Sequence, residues 1–169
     1  MSVRPANLLL AIALGALCAG PAAARSSDRQ QAMDIEAAHT TGTLDDREPT
    51  IFSGNVKIVQ GTLNIDADRA VVTLKGSDPV LAVLTGKQAV LRQQMDNGTP
   101  MTAKADRIDY DMVADVVVLT GNYTVTTQRG TTSGQRLTYN LKSGQVDSGG
   151  DDSGRVKVRI LPKSARTQG

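Results

Sequence analysis

Arg107-Ile108-Asp109-Tyr110-Asp111-Met112 decides the fold class. Its apolar side chains fall on every second residue, the period of a half-buried strand, whereas a helix would bring them round every three or four. The same alternation runs through Leu63-Asn64-Ile65-Asp66-Ala67, through Arg136-Leu137-Thr138-Tyr139-Asn140-Leu141 and through Arg155-Val156-Lys157-Val158-Arg159-Ile160. Val, Ile and Thr are abundant around these segments, and no stretch after residue 30 carries helical spacing. Asp96-Asn97-Gly98 predicts a hairpin with a type I′ turn, whose left-handed backbone Asn and Gly tolerate. Asp45 to Pro49 and Gly76 to Pro79 predict further turns. The reading is all-β.

The strands also repeat. Met33-Asp34-Ile35-Glu36-Ala37-Ala38-His39 is echoed by Leu63-Asn64-Ile65-Asp66-Ala67-Asp68-Arg69, by Met101-Thr102-Ala103-Lys104-Ala105-Asp106-Arg107, and faintly by Thr131 to Arg136. A second element lies between the copies: Phe52-Ser53-Gly54-Asn55-Val56 returns as Leu119-Thr120-Gly121-Asn122-Tyr123, with a partial copy at Leu84-Thr85-Gly86. The period of about 30 residues predicts a stacked β architecture, a β-roll or solenoid in which each repeat buries its apolar face against its neighbours. A plain β-sandwich is the alternative that the pattern leaves open.

Stacking in register lines up one inward row. Its candidates are Met33, Ile35, Phe52, Val56, Ile58, Leu63, Ile65, Leu91, Ile108, Tyr110, Met112, Val125, Leu137 and Tyr139. Such a row is either simply the core or an apolar trough that accepts hydrocarbon. Sparse aromatics and an open-ended architecture favour the trough, because large rings would otherwise fill the space between sheets. The roll also has unpaired first and last strands, near Asp34 to Thr40 and at Arg155 to Leu161. Charges on the last strand, Arg155, Lys157 and Arg159, either discourage edge pairing or mark an edge that pairs with a partner by strand addition. Complementary ends would join head to tail into filaments.

Composition excludes several functions. Of 169 residues, 19 are Lys or Arg and 17 are Asp or Glu, a net charge of +2, too even for a nucleic-acid binder working through a basic patch. Aromatics are 2% and Trp is absent, so stacking platforms are not expected. His39 is the one histidine, and no metal or catalytic cluster gathers around it. Asp66 with Asp68, and Asp109 with Asp111, read as solvated outer charges; a calcium site there lacks a full loop of oxygen ligands. The sequons at Asn97 and Asn122 read as chance. No phosphate-binding loop and no cofactor motif occurs.

Residues 1–24 read as a cleaved signal peptide: Arg4, the uncharged run from Leu8 to Ala19, then Ala22-Ala23-Ala24. The run is shorter than the roughly 20 residues of a membrane span; an uncleaved anchor is the competing reading. Cleavage removes Cys18, the one cysteine, so no intrachain disulfide is available. A single domain over 25–162 and a flexible tail over 163–169 follow.

The stretch Phe52-Ser53-Gly54-Asn55-Val56-Lys57-Ile58-Val59-Gln60-Gly61-Thr62-Leu63-Asn64-Ile65-Asp66-Ala67-Asp68 resembles the OstA-like signature. The similarity continues through Met95 to Pro100, Val116 to Asn122 and Gly134 to Tyr139, covering most of residues 33 to 160. With a leader ahead of these motifs, the chain is similar to the periplasmic lipopolysaccharide-transport bridge proteins of the LptA type. Related modules occur in the membrane-anchored and outer-membrane partners of that pathway; size and leader favour the soluble bridge. The resemblance implies an antiparallel β-jellyroll opened into a twisted groove, with lipid A acyl chains bound inside it. It also implies an inner-membrane partner at the N-terminal edge, an outer-membrane translocon partner at the C-terminal edge, head-to-tail homo-oligomers and a periplasmic location. No cofactor and no catalysis are implied. One departure is the sparse aromatic content: Leu91 stands where such a groove could carry a large ring. A periplasmic scaffold that joins envelope proteins by strand addition without binding lipid is the second reading.

Overall fold

The computed structural model describes residues 28–43, 47–95, 97–149 and 154–162. The leader read from residues 1–24 and the tail read from 163–169 lie outside them. The strands are β1 (Met33–Glu36), β2 (His39–Thr41), β3 (Thr50–Gln60), β4 (Leu63–Lys75), β5 (Asp78–Gln94), β6 (Pro100–Asp111), β7 (Val116–Thr127), β8 (Gly130–Asn140), β9 (Val146–Ser148) and β10 (Lys157–Ile160). A 3-10 turn, Asp28–Gln30, precedes them. All pair antiparallel in one sheet of order β1-β3-β4-β5-β6-β7-β8-β10, with β2 beside β3 and β9 beside β8. Consecutive long strands are joined by hairpins, so each long strand pairs with the strand next to it in sequence.

The repeats seen in the sequence are the corners of this sheet. The register of each long pair slips near its middle, between Ser53 and Val56, Asp66 and Arg69, Thr85 and Ala89, Lys104 and Arg107, and Thr120 and Tyr123, and β4–β5 slips again at Thr73-Leu74. A bulge bends its strand and sharpens the local twist. Because the mid-strand slips lie side by side, they crease the sheet into two leaves. The first leaf is edged by β1 and β10, the second by β2 and β9.

The Gly-Asn repeat supplies the crease. Gly54 and Asn55 have φ of 78° and 50°, and Gly121 and Asn122 have 80° and 46°, a left-handed region that Gly and Asn enter at least cost. The first repeat element ends against the second. Ala38 N–H donates to the Gly54 carbonyl at 2.9 Å. Asp68 Oδ2 accepts from the Lys87 N–H, next to Gly86, at 3.0 Å, and Asp106 Oδ2 accepts from Asn122 Nδ2 at 2.8 Å. A Cβ on Gly121 would stand 2.6 Å from Asp106 Oδ2.

Two expectations are corrected in detail. Gly98 takes φ of 78°. Gly98 N–H donates to the Met95 carbonyl at 2.7 Å and Met95 N–H to the Thr99 carbonyl at 2.8 Å, the three-residue hairpin closed by a left-handed glycine. The type I′ turn expected there occurs at Gly76-Ser77, where φ is 60° and 71° between the paired Lys75 and Asp78. The first strand, expected near Asp34 to Thr40, divides at Ala37-Ala38 into β1 and β2, because the corner opposite Gly54 sends its two halves to different leaves.

Candidate functional site

Directly opposed residues of antiparallel strands share a face, so the ladders give the inward rows. In the first leaf one row reads Ile35, Ile58, Ile65, Leu91, Ala103, Val125, Thr132 and Val158, crossing eight strands. In the second leaf one row reads Phe52, Ala70, Leu84, Ile108, Leu119 and Leu137, and another reads Val72, Ala82, Tyr110, Val117, Tyr139 and Val146. These rows supply most of a single buried cluster. The crease itself is filled by small residues, Ala67, Ala89 and Ala105, and by Tyr123 lying over Gly134. The Tyr123 hydroxyl is hydrogen-bonded to Ser148 Oγ, tying β7 to β9.

The leaves do not meet everywhere. Toward the C-terminal edge they leave a cavity of about 250 Å³, lined by Leu91, Met95, Met101, Ala103, Val125, Thr127 and Thr132 from one leaf side and Val117, Leu119, Leu137, Tyr139, Leu141 and Val146 from the other. Its lining holds no charged side chain. The inward rows then run out past it into solvent: Val146, Val158 and Ile160 are 54%, 62% and 75% exposed. At the opposite edge Met33 and Ile35 are partly buried against the core. The inward rows are therefore more exposed at the C-terminal edge than at the N-terminal edge, and the sheet is open at both.

Of the residues singled out from the sequence, Leu91, Val125, Leu137 and Tyr139 line the cavity. Val56, Ile58, Leu63, Ile65, Ile108 and Tyr110 are buried in the packed core, and Met33, Ile35, Phe52 and Met112 pack on its margin. Met33, Tyr110 and Met112 also border a polar recess with Gln31, Gln60, Asp78 and Asp115. Reasoning from sequence missed Met101, Ala103, Val117, Leu119 and Val146. Val117 and Leu119 sit in the unbroken apolar run Val116 to Leu119, where alternation gives no facing. It also missed Tyr123, although the repeat places it at the position of Val56.

The outward carboxylates are each engaged separately. Asp66 is ion-paired with Arg92, and Asp68 is turned to the corner described above. Arg107 Nε donates to Asp109 Oδ2 at 2.8 Å, and that hydrogen bond raises the Arg107 pKa above its ordinary value. Asp111 Oδ1 accepts the N–H groups of Val113 and Ala114 at 3.0 and 2.8 Å, capping the β6–β7 turn. His39 is exposed on β2. Among the described residues no three His, Cys, Asp or Glu side chains gather where a metal ion could be held.

The sequence profile of the family described as "LptA/(LptD N-terminal domain) LPS transport protein" matches residues 34–145, which is the creased sheet from β1 almost to β9. The chain belongs to this family. A relative within it, the lipopolysaccharide export system protein LptA of Escherichia coli strain K12, is 34% identical over 158 residues, covering 92% of this chain and 84% of its own. The LptA of Haemophilus influenzae is 28% identical over 159 residues, covering 92% of both chains. The crystal structure of LptH of Pseudomonas aeruginosa, the LptA-homologous periplasmic component of that organism's lipopolysaccharide transport device, superposes with a TM-score of 0.71 at 22% identity. It covers 80% of this chain and 99% of its own, and it shows that the family's open β-jellyroll is the fold seen here.

Proposed function

We propose that this chain carries lipopolysaccharide across the periplasm, holding lipid A acyl chains between its two leaves. It acts as a non-enzymatic bridge, meeting an inner-membrane transport component at the N-terminal edge, an outer-membrane translocon component at the C-terminal edge, and further copies of itself head to tail. The observation that carries this reading is the uncharged cavity, continuous with apolar rows that emerge at one end. At roughly 30 Å³ per water-sized group, 250 Å³ holds about eight methylenes, and at about 0.8 kcal/mol each their burial contributes about 6 kcal/mol. That accommodates part of one acyl chain as the leaves stand. Taking several chains requires the leaves to part along the crease.

Titration of the purified chain with lipopolysaccharide and with its deacylated form tests this. Saturable binding that disappears on deacylation is expected. Equal binding of both forms overturns the groove. Binding of neither, in a chain that still assembles end to end, supports the scaffold reading instead.

A further inference from the structure

The two edges of the first leaf are complementary residue by residue. On β1, Asp34 and Glu36 point outward while Met33 and Ile35 point inward. On β10, Val158 and Ile160 continue the inward rows through Thr132 and Gly130, which leaves Lys157 and Arg159 on the outer face. An odd number of antiparallel steps separates β1 from β10, so a copy added by extending the sheet presents its β1 antiparallel to β10. Continuing the rows of the ladder across that junction sets one register. Lys157 falls opposite Glu36 of the next copy, Arg159 opposite its Asp34, Val158 opposite its Ile35, and Ile160 opposite its Met33. The chain already uses this pairing internally, with Glu36 opposite Lys57 and Lys57 opposite Asp66 on the same outer row.

We propose that β10 and β1 of successive copies join in this single register, chosen by two outward acid–base pairs and sealed by two inward apolar pairs. The proposal rests on the head-to-tail reading above and adds what selects the junction. Opposite charges directly across strands favour pairing and like charges oppose it. A slip by one residue would set Lys157 and Arg159 opposite apolar residues and turn the next copy's Met33 and Ile35 to the outer face. The junction also accounts for the exposure of those two residues, since the next copy's Met33 and Ile35 would cover them and carry the apolar row onward.

Charge reversal at one edge tests the register. K157E/R159E and D34K/E36K are each checked for folding by circular dichroism and for assembly by analytical ultracentrifugation. Each alone is expected to raise the concentration needed for assembly by about tenfold or more. An equimolar mixture should regain wild-type assembly, because the acidic β10 of one variant meets the basic β1 of the other. In a chain with Cys18→Ser, the pair I35C/V158C should give intermolecular products with a short thiol crosslinker, and M33C/V158C far fewer. Wild-type assembly by each reversed variant, or equal crosslinking by both cysteine pairs, overturns the register while leaving head-to-tail joining intact. A wild-type chain that stays monomeric at every concentration overturns both.

Discussion

Ala103→Leu and Ala105→Leu add the same three carbons to the same strand and should have opposite effects. Ala103 and Ala105 are both buried inward residues of β6. Ala103 borders the cavity, whereas Ala105 stands opposite Ala89 in the crease, away from it. At position 103 the new carbons enter empty space and gain about 2 kcal/mol from apolar burial, less roughly 0.5–1 kcal/mol of side-chain entropy. The net stabilisation of about 1–1.5 kcal/mol should raise the thermal midpoint by about 3–5 °C. The same three carbons take space from about three methylenes of ligand, so lipopolysaccharide binding should weaken by about 2 kcal/mol, close to thirtyfold. At position 105 there is no space to fill, and overpacking should cost about 1–3 kcal/mol. Differential scanning calorimetry and lipopolysaccharide titration on both variants read the four outcomes. If Ala103→Leu lowers the midpoint as Ala105→Leu does, and binding is unaltered, the inner face is a dry core and the reasoning fails.

Three other substitutions probe the architecture. Gly121→Ala forces a Cβ into a left-handed corner at φ 80° and against Asp106; a loss of about 1–3 kcal/mol is expected from denaturant unfolding. Tyr123→Phe removes the hydroxyl that holds Ser148, costing about 1 kcal/mol, with faster amide exchange concentrated in β9. Gly130→Ala, at φ 143°, would set a Cβ 1.9 Å from the Arg159 carbonyl oxygen. It should release β10, read as loss of amide protection over 157–160, while the midpoint for the rest of the sheet stays close to wild type.

The fold was largely legible because its forces are local. Alternation at Arg107 to Met112 specifies a strand with one apolar face, and the repeats specify stacking, so a stacked β architecture follows without long-range information, although the pattern alone does not separate it from a plain sandwich. The Gly-Asn repeats were visible as repeats, yet their role was not. A crease arises only when the left-handed corners Gly54-Asn55 on β3 and Gly121-Asn122 on β7 fall in line with the slips of the strands between them, and that alignment is a property of the register. For the same reason β1 and β2 looked like one strand. The site was less legible. Period two tells which residues point inward, but whether Leu91 borders a cavity while Ile65 is packed depends on the distance between leaves, which no single strand encodes. Val146, Val158 and Ile160 were legible as alternating apolar residues, but their emergence into solvent is set by β9 and β10 having a strand on one side only.

The most direct test of acyl-chain capture between the leaves places a photoreactive side chain at Tyr139, on the cavity wall, and at Val113, 71% exposed on the β6–β7 turn. Illumination in the presence of lipopolysaccharide should give lipid adducts at 139 and none at 113. Adducts at neither position, or equally at both, would contradict the account.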